Sequence, residues 1–192
     1  MTVEDKFQNT LYDKLVLEPF KYNDEFEKIP KIYRDLSKLV LPITFHFNMD
    51  KQCKRDEIQK SVYIAQRFWK DLGFRFGAHQ CSIWSERLFK DLLKSYEFYC
   101  DNDAHKVTSY VICNLTKIDV IKAQIVRKFL SSPIEFNRYH WINTLTYMHY
   151  LINVCNYSID GTKNKLKDSK LYIEKAMDRI EEFEKYDMDR VI

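Results

Sequence analysis

Between Ile58 and Leu93 apolar residues return at intervals of three and four, interrupted by one close pair of glycines. Ile58, Val62, Ala65, Trp69 and Leu72 lay a single apolar stripe along a helix. Gly73 and Gly77 break the pattern; Trp84, Leu88, Leu92 and Tyr96 then recur every four residues, with Phe89 and Leu93 widening the stripe. Two helices joined this closely are expected to fold back on each other and nucleate a bundle.

Little else competes with that period. Three glycines and 4 prolines in 192 residues fall far below ordinary usage and leave scant material for hairpin turns. The expected fold class is therefore all-α: a single domain over residues 1–192, built as a multi-helix bundle or short α-superhelix of about six to seven helices. Thirteen tyrosines and 13 phenylalanines predict a core of large side chains with phenols at its polar margin.

Along the chain, Thr2 with Asp5 caps a first helix carrying Val3, Phe7, Leu11 and Leu15, ended by Pro19. A second carries Ile32, Leu36 and Leu39 with Pro30 in its first turn. Residues 39–48 fit two periods: Ile43, Phe45 and Phe47 alternate as in a strand, while Leu36, Val40, Ile43 and Phe47 fit a helix interrupted at Pro42. Helix or irregular linker is expected, since a strand there has no partner elsewhere. Asp50 is expected to cap the organising helix pair. A helical run from Val107 through Phe129 has a possible break at Asn114 or Thr116. Ser132, Pro133 and Glu135 spell a capping box for a helix with Trp141, Leu145, Met148, Ile152 and Cys155 on one face, ending near Asp160 and Gly161. A final helix with Leu166, Ile173, Ala176, Ile180 and Phe183 is charged on its other side and expected on the outside of the bundle.

The motifs of nucleotide and metal chemistry are missing: no GxxxxGK[ST], no GxGxxG, no HExxH, no ExxH pair and no zinc-finger spacing. No cofactor and no metal are expected. Cys53, Cys81, Cys100, Cys113 and Cys155 form an odd set without a CxxC pair, expected as reduced thiols buried as small hydrophobes in cytoplasm or nucleus. No run reaches the length of a membrane span, so no membrane insertion is expected. Arg75 with His79, and Arg138 with His140, miss the arginine-to-histidine spacing of the HEPN ribonucleases. His46 and His105 read as turn residues, and His149 as a core-edge histidine with one hydrogen bond. The acidic cluster Glu181, Glu182, Glu184, Asp187 and Asp189 is interleaved with Lys and Arg and reads as a solvated face.

Charge is only mildly basic overall, at net +3, yet it is unevenly spread. Lys51, Lys54, Arg55, Lys60, Arg67 and Lys70 form one basic segment, joined by Arg127, Lys128 and Arg138 further on. Tyr139, Tyr147 and Tyr150 lie off the Trp141 stripe, either as exposed platforms for a partner or as a second packed face. Three functions follow in order. The first is a non-enzymatic adaptor, scaffold or regulatory module that takes a protein segment in an inter-helix groove, with Arg127, Lys128, Arg138, Tyr139, Tyr147 and Tyr150 as partner-binding residues. The second is RNA or DNA binding through the basic middle segment, residues 104–157 with 51–75. The third is an enzyme with a dispersed site near His149.

Overall fold

The structure, a computed structural model, describes residues 30–44, 49–79, 81–101, 108, 111, 114–166 and 170–185. Within these it is an all-α protein of seven helices and one two-stranded ribbon. The first expected helix, residues 45–48, Val107, His105, Cys113, Asp187 and Asp189 lie outside the described residues.

Helix α1 (Lys31–Thr44) begins where Pro30 presents its carbonyl to the amides of Tyr33 and Arg34. It runs through Pro42, so residues 39–44 are helical; Thr44 Oγ1 donates back to the Val40 carbonyl at 3.0 Å. Helix α2 (Gln52–Phe68) starts at Lys51, which makes no side-chain capping bond. Asp50, expected as that cap, instead accepts from the Tyr96 hydroxyl at 3.0 Å.

The connection after α2 differs from a plain inter-helix turn. Gly73 takes φ +73°, a left-handed conformation available to it without steric cost. Strands β1 (Gly77–His79) and β2 (Ser82–Trp84) then pair antiparallel, with Gly77 opposite Trp84 and His79 opposite Ser82. Trp84 therefore belongs to β2, and only the residues from Glu86 onward continue its stripe in α3 (Glu86–Asp101). Nor do α2 and α3 form a simple paired hairpin: α1 packs on both, and Leu36 and Val40 fill the space shared with Ile58, Val62, Leu88 and Leu92.

Helix α4 (Lys117–Leu130) starts at the anticipated break. Thr116 Oγ1 accepts from the Asp119 amide while Asp119 accepts from the Thr116 amide, a reciprocal capping box. The Ser132 box, by contrast, does not start a helix. Ser132 Oγ donates to the carbonyls of Pro133 and Phe136, folding 133–136 into a turn. Helix α5 (Arg138–Asn153) begins five residues later than Pro133 would place it, with the Asn137 side chain accepting from Tyr139 and His140 amides. The hydroxyl chose the donor role, which leaves amide capping to the next side chain able to accept. α5 ends at Asn153, short of Asp160; Ser158 then caps the separate short helix α6 (Ile159–Lys165).

Helix α7 (Lys170–Glu184) packs on α5 and α4 and inserts Phe183 against Phe129, ring centroids 4.7 Å apart. The larger core surrounds α5, with Trp141, Leu145 and Met148 fully buried beside Phe129 and Phe183. α2 divides its side chains between both cores, and every residue from Ile58 to Ala65 is buried. The thiols depart from expectation: Cys53, Cys81 and Cys100 are exposed and Cys155 is half-buried, so none of these four is a fully buried core hydrophobe.

Candidate binding cleft beside Tyr139

The first turns of α5 and α2 lie side by side and are tied by two polar contacts. With Asn137 holding the first amides of α5, Trp141 and Ile142 turn inward and Arg138 and Tyr139 remain at the surface. Arg138 donates from Nε and Nη2 to Glu57 Oε1 at 3.1 and 2.7 Å. Tyr139 Oη donates to Asp56 Oδ2 at 2.7 Å, and this bond, followed by partial burial, pushes the phenol up to about 12 because the carboxylate opposes a phenolate.

Tyr139 borders two cavities. The larger, about 630 Å³, lies among α2, the β1–β2 ribbon, α3 and α5. Ile83, Trp84 and Phe89 give it an apolar wall, with the Trp84 and Phe89 rings 5.1 Å apart. Gln52, His79, Ser82 and Asn143 supply polar groups, and Arg55, Asp56 and Glu86 add one positive and two negative side chains. Asn143 Nδ2 also donates to the Cys81 carbonyl at 3.2 Å, tying α5 to the ribbon turn. The smaller cavity, about 230 Å³, is lined by α2 residues Cys53, Lys54, Glu57 and Lys60 and by Asn137, Arg138, Tyr139 and Ile142. Lys60 is buried, with Nζ 5.5 Å from the centroid of the Tyr139 ring. Burial lowers its pKa, while Asp56 and Glu57 act in the opposite direction.

The residues singled out from sequence separate into several places. Tyr139 and Arg138 come together with Lys54, Arg55 and Lys60 around the two cavities. Lys51 is exposed at the start of α2. Arg127 and Lys128 line neither cavity; Lys128 meets Glu182 of α7 at 3.0 Å. Lys70 pairs with Asp35 at 2.9 Å. Tyr147 and Tyr150 are buried on α5, and Tyr150 lines a third cavity of about 380 Å³ with Arg67, Arg75 and Tyr63. Several basic side chains are thus met by carboxylates within the protein: Lys54 and Arg138 by Glu57, Lys70 by Asp35, Lys128 by Glu182.

His149 stands in the core. Its Nδ1 is 2.8 Å from Tyr63 Oη, and Phe68, Phe129 and Tyr63 surround the ring with centroids 5.6 to 6.0 Å away. Burial, with the charge of Arg67 second, pushes its pKa down to about 4. Among the described residues no three His, Cys, Asp or Glu side chains converge as a metal site, and no helix is long and apolar enough to cross a membrane.

Trp84, Phe89 and His79 were legible only as stripe or turn residues. Phe89 keeps its place on the stripe of α3 while Trp84 lies in β2, and both are half-buried and line the cleft, a distinction that spacing does not carry. No family model, curated protein or solved structure matches the chain.

Proposed function

We propose that this protein is a helical binding module that seats a short peptide segment, anchored by one large apolar side chain, in the cleft between Tyr139 and Trp84. The observation that carries the reading is the composition of that 630 Å³ cleft: an apolar wall of Ile83, Trp84 and Phe89 inside a rim of hydrogen-bonding groups. Its size suits one or two side chains, and tyrosine and tryptophan at such positions are the residue types that contribute most to recognition. Among its described lining residues one arginine stands against two carboxylates, which favours an uncharged anchor over a polyanionic backbone.

The test is selection of a displayed random peptide library on the folded protein, followed by affinity measurement for the recovered peptides. Gln52 is exposed at the cleft mouth, so Gln52→Trp fills the opening without touching the core. The reading predicts peptides sharing an apolar anchor, with Kd raised at least about tenfold by Gln52→Trp and unchanged by Lys170→Ala on α7. Peptides that bind all three proteins equally contradict it.

A further inference from the structure

Helix α2 buries a lysine that makes no ion pair with any described residue. Lys60 is 3% exposed, and among the described residues its only direct side-chain contact of a polar kind is the face of Tyr139, 5.5 Å from Nζ. The carboxylates one turn earlier are committed elsewhere. Asp56 accepts from Tyr139, and Glu57 accepts from Arg138 at 2.7 Å and faces Lys54 at 3.6 Å. An interior cation held this way is costly, and a packed hydrocarbon side chain at the same position avoids that cost.

Lys60 nevertheless lines the 230 Å³ cavity together with Cys53, Asn137 and Ile142. With Lys60 as the neutral amine, the described residues of the cavity wall carry two cations, Lys54 and Arg138, against one carboxylate, Glu57. That balance selects for an anionic occupant of small size. We propose that Lys60 is a covalent site for a small carbonyl compound bearing a carboxylate, a 2-oxo acid, held as an imine on its amine.

The step balances without an oxidant or reductant. The neutral amine's lone pair forms the C–N bond while the carbonyl π pair moves to oxygen, which takes up a proton. Loss of the nitrogen proton and expulsion of the hydroxyl as water then leaves C=N, with the ligand's carboxylate beside Lys54 and Arg138. Only the deprotonated amine reacts, and the burial of Lys60 enriches that form relative to a lysine in water. Tyr139, its ring centroid 5.5 Å from the same group, lines both this cavity and the peptide cleft.

Trapping on the unmodified full chain tests this directly. The protein is incubated at neutral pH with glyoxylate and cyanoborohydride, which reduces any imine to a stable secondary amine, and modification is followed at each lysine by peptide mass spectrometry. Lys90 and Lys170, both well exposed, provide the internal reference. Lys60 is expected to react several times faster than either, because burial favours its neutral amine, and acetaldehyde, which lacks the carboxylate, is expected to show less preference. Lys60 reacting with glyoxylate no faster than Lys90 and Lys170 overturns the site. Equal preference with acetaldehyde overturns the requirement for an anion. Neither readout depends on whether peptides occupy the larger cleft.

Discussion

The side-chain amide of Gln66 pairs in both directions with the backbone of Phe74: Nε2 donates to the Phe74 carbonyl and Oε1 accepts from its amide, each at 3.0 Å. Two helical turns earlier, Gln59 repeats the arrangement with Ser85, at 3.1 and 3.3 Å. Both glutamines lie on one face of α2, so the irregular segment and the ribbon are clamped at either end by amide groups. The ribbon in turn supplies the apolar wall of the cleft. Because Gln59 and Ser85 are buried, Gln59→Ala strands a backbone donor and an acceptor and is expected to destabilise by about 2 to 3 kcal/mol. Gln66→Ala, only partly buried, is expected to cost about 1 kcal/mol. Urea unfolding of the two variants measures both values.

His149 makes stability depend on pH. Its pKa is held at about 4 in the folded protein against 6.5 when unperturbed, so between those values the unfolded chain binds a proton that the folded chain lacks. The contribution is fully present above pH 6.5, shrinks as pH falls, and is exhausted near pH 4, a loss of roughly 3 kcal/mol. Replacing both hydrogen-bonded partners, His149→Leu with Tyr63→Phe, is expected to remove this component. Comparing the unfolding free energy of the double variant and the parent from pH 7 to pH 4 isolates it from the carboxylates.

Asp56 sets the chemistry of the Tyr139 phenol. Asp56→Asn removes the charge that opposes the phenolate, and the Tyr139 pKa is expected to drop by about one unit or more toward its ordinary value. Titration of ring-labelled tyrosine by NMR, with Tyr139 assigned by its loss in Tyr139→Phe, reads the shift.

The aromatic seam between α4 and α7 holds the C-terminal helix. Phe183 is 1% exposed and meets both Phe129 and Phe68. Phe183→Ala is expected to cost about 3 to 5 kcal/mol, whereas Leu171→Ala, 51% exposed on the same helix, is expected to stay within about 0.5 kcal/mol. Thermal unfolding of the pair distinguishes docking by Phe183 from helix propensity.

The start of α5 offers a sharper local test. Asn137 accepts from two helix amides, so Asn137→Ala is expected to cost about 1 kcal/mol. It also loosens the turn that presents Arg138 and Tyr139. Hydrogen exchange of the Tyr139 and His140 amides is expected to accelerate in this variant and not in Glu135→Ala, although Glu135 completes the sequence box.

Helical class was legible because apolar spacing persists through α1, α3 and α7, where one face is wet. It was least informative in α2 and α5. From Ile58 to Ala65 every side chain is buried, including Gln59, Lys60 and Ser61, so a lysine that belongs to a cavity reads in sequence as one more surface charge. Ser132 and Asn137 show the limit of capping patterns: both have the composition of a cap, and only hydrogen-bond direction separates them. The ribbon escaped notice because three-residue strands carry no usable alternation. Of the residues expected to meet a partner, Arg138 and Tyr139 stand at the cleft, while Arg127, Lys128 and Tyr147 line neither of its cavities. Long-range pairing with Glu57 and Asp56, more than eighty residues away, decided that grouping.

Chemical-shift mapping with a library-selected peptide tests the central proposal most directly. Amide resonances of Ser82, Trp84, Glu86, Tyr139 and Asn143 are expected to move together with one saturation curve, and Gln52→Trp is expected to abolish those shifts. Perturbations centred on Lys128 and Glu182, with the Trp84 and Tyr139 amides unmoved, would contradict the cleft as the recognition surface.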